Sequence, residues 1–264
     1  VTLSDLLEPR RVSEREFSLE VPDGWQQGRG AFGGLVLGWL VRAIELSEEE
    51  PERTVRSLTA EIPAPVLTGP ARIKVEPLRR GNAVSTIRAT LYSGDELAAE
   101  MVAVLGKSRQ GTPTWQHIPA PEMPAWREIE PAPVEPPIAP IFASNFEYRV
   151  TGPAPFAGGD VPEAAGWIRA KAPGPSRGAA FVTACVDAWW PGAAACFDAP
   201  RPVATVTFTL ELVGSLEGLH PEAPFFHRAR TPISHDGYTV EFRELWGEDG
   251  RLIALNQQTI AIIK

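Results

Sequence analysis

The chain has 264 residues, enough for one large domain or two small ones, and its hydrophobic fraction of 44% is ordinary for a globular protein. A formal net charge of −8 argues against non-specific nucleic-acid binding, which needs a basic surface, and against binding to an anionic membrane. No apolar run reaches the roughly 18 residues of a membrane span, and Val1 to Arg11 is too polar for a signal peptide.

Residues 1–15 read as a short helix with Leu3, Leu6 and Leu7 on one side. Glu16 to Val21 alternates apolar and polar residues and predicts a strand, closed by the turn Pro22-Asp23-Gly24. Arg29 to Glu45 follows as a helix that is apolar almost all round, so it is expected to be buried on most sides. Its glycines at 30, 33, 34 and 38 each cost roughly 1 kcal/mol of helix propensity, a cost tolerated where backbone approaches something closely. The run Glu48-Glu49-Glu50 reads as a solvated helix exit. Val55–Val66 is extended, and Ala71–Leu78, Val84–Tyr92 and Leu97–Leu105 form a meander with turns at Arg80-Gly81-Asn82 and Ser93-Gly94-Asp95.

Nine prolines lie between Gln110 and Phe142. This stretch predicts an extended linker along the surface with its aromatics, Trp115 and Trp126, docked. The second half then repeats the order of the first. Phe146–Val150 and Gly166–Lys171 read as strands, and Ala179–Trp190 as an apolar helix. Val203–Val213 is a strand, followed by a meander of Phe225–Thr231, Tyr238–Leu245 and Leu252–Ile262. Leu97-Ala98-Ala99 matches Leu252-Ile253-Ala254 at the same distance from the preceding turn.

This is an internal repeat of one helix and a five- or six-stranded antiparallel sheet. A long, all-round apolar helix before a meander implies a sheet curled around its helix, the hotdog fold. The expected class is α+β, a double hotdog whose two tandem helix-wrapped sheets form one continuous sheet and so hide their edges. The expected units are residues 1–109 and 142–264, joined by 110–141.

The repeat supplies its own comparison. Leu97, Ala99, Met101, Ala103 and Leu105 form an apolar frame, whereas the second copy has Leu252, Ala254, Asn256, Gln258 and Ile260. Buried amides need partners or cost roughly 1–3 kcal/mol. Gln258 either bonds a neighbouring loop or orients a water or a carbonyl. Asp187 lies late in an apolar helix, where the dipole disfavours it and burial would raise its pKa. The alternative is that it faces solvent past the helix end. Thr205, Thr207 and Thr209 alternate with Val206, Phe208 and Leu210 as an ordinary strand with one polar face. Gly33 and Gly34 either pack tightly against the sheet or bring backbone N–H groups to a ligand.

Two cysteines make no disulfide framework, and Cys185, in an apolar run, reads as a buried inert thiol. A reducing cytoplasm is the simplest compartment. The histidines at 117, 220, 227 and 235 lack metal-ligand spacing, so no metal and no cofactor are expected. No Ser-His-Asp arrangement or nucleophile elbow is visible.

At these residues the chain resembles the bacterial acyl-CoA thioesterase II family and its peroxisomal relatives, which are double-hotdog enzymes. Ala31-Phe32-Gly33-Gly34-Leu35-Val36-Leu37-Gly38 is similar to the family's Phe-Gly-Gly helix start. In the second copy the family places an Asp late in the helix, a Thr in an Ala-Thr pair opening the next strand, and a Gln in the last strand. Asp187, Thr205 and Gln258 fall at those places. The segment Arg56-Ser57-Leu58-Thr59 lacks the histidines the family often carries there.

The resemblance implies an acyl-CoA thioesterase of lipid metabolism, cleaving acyl-CoA to free acid and CoA by direct attack of water. Asp187, Thr205 and Gln258 would hold that water, with Asp187 as general base and Gly33 and Gly34 serving the oxyanion. A non-catalytic acyl-CoA or acyl-carrier binding module is the alternative. A hotdog hydratase is a weaker one, because no histidine lies in either helix. The expected partner is acyl-CoA, with no nucleic acid and no membrane, and assembly into a homo-oligomer is compatible with the fold.

Overall fold

A single twelve-stranded antiparallel sheet carries the architecture. The structure, a computed structural model of the chain, describes residues 1–263; Lys264, the last residue of the expected second unit, lies outside them. The first half comprises α1 (Leu3–Leu6), β1 (Arg10–Arg11), β2 (Glu16–Val21), the short pair β3 (Gln26–Gln27) and β4 (Gly30–Ala31), α2 (Gly33–Ser47), β5 (Thr54–Glu61), β6 (Gly69–Arg80), β7 (Val84–Ser93) and β8 (Glu96–Gly106). The second comprises β9 (Phe146–Val150), β10 (Glu163–Ala170), α3 (Ala179–Asp187), β11 (Val203–Leu212), β12 (Phe225–His235), β13 (Tyr238–Gly247) and β14 (Leu252–Ile262).

The sheet runs β1-β2-β6-β7-β8-β5-β11-β14-β13-β12-β10-β9. Outward from the β5–β11 join, each half repeats the same sequence of neighbours. The repeat extends to irregularities. An extra residue enters β8 at Ala98 and β14 at Ile253, opposite the same step of the preceding strand. A second pair of bulges sits at Arg56 in β5 and Val206 in β11. The fold is the expected double hotdog.

Helix α2 crosses the inner face of β5 to β8, and α3 covers its other side. This sandwiching accounts for the absence of a polar face: Leu35, Leu37, Leu40 and Val41 are all fully buried. A Cβ added at Gly34 would lie 2.8 Å from the Ala184 carbonyl oxygen, and one at Gly38 would lie 3.2 Å from that of Ala180. These glycines, one turn apart, let α2 reach the backbone of α3.

Several local expectations change. Only Leu3–Leu6 is helical near the N-terminus, and Arg10–Arg11 instead pairs with β2. Helix α2 begins at Gly33, because Gly30–Ala31 is extended against Gln26–Gln27. The acidic run is not wholly solvated: the buried Glu48 carboxylate accepts from Arg53 at 2.8 Å and from the backbone of Glu49 and Glu50. Of the linker aromatics, Trp126 docks on the outer sheet face beside Trp167, Phe226 and Trp246, whereas Trp115 is 73% exposed. Arg149 holds Trp126 in place, stacking on its ring and donating to its carbonyl at 2.8 Å.

Candidate active site

Asp187 closes α3, and the side chains around it explain why the helix stops three residues short of Trp190. Arg243 Nη1 donates to the Val186 carbonyl at 3.0 Å, and the Tyr148 hydroxyl donates to the Ala188 carbonyl at 2.7 Å. Two carbonyls that a helix end leaves unpaired thus gain donors. Pro191 disfavours helical backbone at Trp190.

A carboxylate at a helix C-terminus meets an unfavourable dipole. Here the start of α2 lies against it and supplies the opposite pole. Phe32, at the N-cap of α2, offers no side-chain acceptor, so the first amides of the helix remain unpaired by a cap. A Cβ added at Gly33 would stand 2.7 Å from Asp187 Oδ2, and the Gly34 N–H favours the ionised carboxylate. Asp187 is 8% exposed, so the solvent-facing alternative does not hold.

Gln258 projects inward from β14 and is fully buried. Its Nε2 donates to Asp187 Oδ1 at 3.1 Å and to Asn256 Oδ1 at 3.0 Å, while its Oε1 accepts from Thr205 Oγ1 at 2.9 Å. Asn256 in turn donates from Nδ2 to the Thr209 carbonyl at 2.6 Å, which turns its oxygen toward Gln258. The amide therefore has one orientation that satisfies all its neighbours.

Thr205 reaches this line because of the bulge at Val206. In an unbroken strand Thr205 would share the outward face of Thr207 and Thr209. The extra residue returns Thr205 to the inner face, opposite Ile260. All five residues expected at the site, Gly33, Gly34, Asp187, Thr205 and Gln258, thus lie in one neighbourhood.

The sequence reading missed two charges. Arg243 Nη1 lies 3.7 Å from Asp187 Oδ1, and Arg243 Nε donates to Glu241 Oε1 at 2.6 Å. Glu241 Oε2 accepts from the Gly192 N–H at 2.7 Å and from Thr231 Oγ1 at 2.8 Å. Alternation alone misleads in β13: it would bury Tyr238, Val240 and Phe242. Instead Tyr238 and Phe242 are exposed, and Glu241 and Arg243 are buried. The signal lay in the register. Counting outward from the Asp249-Gly250 turn sets Glu241 opposite Gln258 and Arg243 opposite Asn256.

The first half shows the same positions without this chemistry. Ile87 faces Ala103 as Glu241 faces Gln258, Ala89 faces Met101 as Arg243 faces Asn256, and Val55 faces Leu105 as Thr205 faces Ile260.

Burial raises the Asp187 carboxyl above its ordinary 3.8; Arg243, Gln258 and the Gly34 N–H oppose that rise, and Glu241 adds to it. His227, fully buried with its ring stacked 5.3 Å from Trp189, is pushed well below 6.5 by burial and then by Arg243. Burial pushes the Cys185 thiol up to about 12, in keeping with an inert core thiol. Among the described residues no three His, Cys, Asp or Glu side chains are grouped as a metal ion would need, and no helix is long and apolar enough to cross a membrane.

Two family models span these elements. The acyl-CoA thioesterase C-terminal domain matches residues 116–262, and the acyl-CoA thioesterase N-terminal domain matches residues 21–106. The chain belongs to the acyl-CoA thioesterase family. Among solved structures it is similar to a conserved hot dog-fold protein of unknown function from Alicyclobacillus acidocaldarius, with TM-score 0.88 and 24% identity over 99% of this chain and 98% of that one. It is similar to a candidate thioesterase II from Thermobifida fusca YX, with TM-score 0.84 and 22% identity over 100% and 98%. It is also similar to the acyl-CoA thioesterase II TesB2 from Mycobacterium marinum, with TM-score 0.78 and 16% identity over 99% and 98%. At these identities the likeness is one of fold. None of the curated proteins matches the chain.

Proposed function

We propose that this chain hydrolyses acyl-CoA thioesters by direct attack of water, with Asp187 as general base. The observation that carries the reading is the hydrogen-bonded line from Thr205 through Gln258 to Asp187, set against the start of α2. Gln258 occupies Asp187 Oδ1 and leaves Oδ2 as the atom that takes a proton. The Thr205 hydroxyl gives its own proton to Gln258, so its oxygen lone pairs are free to accept from the same water.

The water oxygen bonds to the thioester carbonyl carbon as its proton passes to Asp187. The carbonyl oxygen becomes an oxyanion, which the Gly33 N–H suits directly and the Gly34 N–H joins as protonation of Asp187 releases it. Collapse of this intermediate breaks the carbon–sulfur bond, and the departing thiolate takes the proton back from Asp187. The products are the free acid and CoA. Residues 1–109 and 142–264 then serve as two hotdog units joined by 110–141. The reaction would belong to cytoplasmic lipid metabolism, in keeping with two free cysteines.

The test is thiol release from acyl-CoAs of several chain lengths. Asp187→Asn is expected to keep the fold and lower the rate by at least ~100-fold, the low end for a positioned base. Full activity in that variant would remove Asp187 from the mechanism. A wild-type chain that binds acyl-CoA without releasing thiol would instead be the non-catalytic binding module.

A further inference from the structure

Glu241 and Arg243 are charges on the inner face of β13 that the hydrolysis scheme does not use. Burying them carries a large desolvation cost, and apolar residues of similar volume are often at least as stable. The first half of this chain takes the apolar course at the same register, with Ile87 and Ala89. The fold alone therefore does not call for the pair.

We propose that Arg243, braced by Glu241, is a positioning residue that holds the Asp187 carboxylate as an anion against Gln258 and the start of α2. This rests on the hydrolase reading above. Arg243 is tied at both ends of its guanidinium, from Nε to Glu241 at 2.6 Å and from Nη1 to the Val186 carbonyl at 3.0 Å. At 3.7 Å from Asp187 Oδ1 it is too far for a hydrogen bond, yet close enough for a strong charge interaction where water is excluded. This spacing leaves Oδ1 to Gln258. Glu241 is itself anchored by Gly192, just past α3, and by Thr231 of β12. The brace thus links three elements around one carboxylate.

The groups surrounding Asp187 are few. From β13 come Arg243 and Glu241. From β12 comes His227, which burial and then the charge of Arg243 push well below 6.5 and so keep neutral. Cys185 of α3 is a neutral thiol. Helix α2, β11 and β14 contribute the Gly34 amide, Thr205 and Gln258, none of them charged. Arg243 is therefore the cation that opposes burial, and it is the largest influence lowering the Asp187 pKa.

The experiment compares wild type, Arg243→Met, Arg243→Gln and Arg243→Lys. Carbon-13 titration of the Asp187 carboxyl, assigned by its absence in Asp187→Asn, reads the ionisation without turnover. Both neutral variants are expected to titrate about one pH unit or more above wild type, the low end for losing an adjacent opposite charge. The acidic limb of kcat/KM should move with them, with kcat falling more than KM changes. Arg243→Lys should restore the limb but only part of kcat, since an ammonium lacks the fork that spans Glu241 and Val186.

An unchanged Asp187 titration in the neutral variants overturns the proposal. So does an activity loss that merely follows the unfolded fraction. If both neutral variants fail to fold, Arg243 is a structural requirement and the positioning role is wrong. Absence of thiol release from wild type would sink the hydrolase reading, while the titration would still decide whether Arg243 holds the carboxylate.

Discussion

Asp187 is subject to opposing forces that set its pH response. Burial favours its neutral form, and Arg243, Gln258 and the start of α2 favour the anion; the net direction is upward from 3.8. A general base works only when ionised, so kcat/KM is expected to fall on acidification with a midpoint above 3.8. The same shift carries a stability consequence. Between 3.8 and its raised folded value, Asp187 binds a proton better in the folded chain, so this residue's contribution to stability declines as pH rises through that window. His227 has the opposite sign: its folded pKa is depressed, so its contribution is lost as pH falls below 6.5. Circular dichroism at each pH separates the two. A kinetic midpoint at or below 3.8, with the fold intact, would refute an ionised Asp187 as base. At this scale legibility was uneven. Asp187 and Gln258 stood out because each broke an apolar pattern. Thr205 did not: alternation placed it outward, and only the bulge at Val206 turns it in. Glu241 and Arg243 were hidden for the converse reason, since they sit where alternation expects solvent and face the core.

Helices α2 and α3 show how two elements with poor caps complete one another. The start of α2 lacks a side-chain acceptor, and the end of α3 carries a misplaced carboxylate; set together, each answers the other's defect. Contact at this distance depends on Gly34 and Gly38. Gly34→Ala gains roughly 1 kcal/mol of helix propensity. It also forces a methyl to 2.8 Å from the Ala184 carbonyl and against the Phe32 ring, an overpacking cost of about 1–3 kcal/mol. The cost is expected to win, because the Ala184 oxygen belongs to helix backbone and has little room to give. Urea unfolding should show a lower midpoint with an unchanged slope, and hydrolysis should fall as Gly33 moves relative to Asp187. A variant as stable as wild type would mean that the two helices slide freely. The existence of both helices and the β14 bounds were readable from periodicity. Helix ends were not, because α2 is shortened by pairing at Gly30–Ala31 and α3 by side chains from β13 and β9.

The two halves share more than a sheet. Strands β5 and β11 join them from Ser57 opposite Glu211 to Glu61 opposite Thr207. The N-terminal segment crosses over, with the Leu3 and Ser4 amides donating to the Ala172 and Pro173 carbonyls. Leu7 then packs against Gly38 on α2. The tandem repeat and the proline-rich connection were visible in the sequence, but this interlocking was not, since nothing in a repeat pattern says which faces meet. It matters for the proposed chemistry because Asp187, Thr205 and Gln258 all come from the second half, whereas the amides at the start of α2 that face Asp187 come from the first. Severing the chain between Arg109 and Gln110, both exposed, tests that division of labour. Residues 1–109 alone would leave the β5 edge and the Gly34–Gly38 face of α2 uncovered, and 110–264 would leave the β11 edge and Asp187 open to water. The two pieces produced together are expected to associate and to release thiol from acyl-CoA. Residues 110–264 alone are expected to fall at least ~100-fold short, the scale of losing oxyanion donors. Wild-type activity from 110–264 alone would show that α2 contributes nothing to the reaction, and would return Gly33 and Gly34 to a purely packing role.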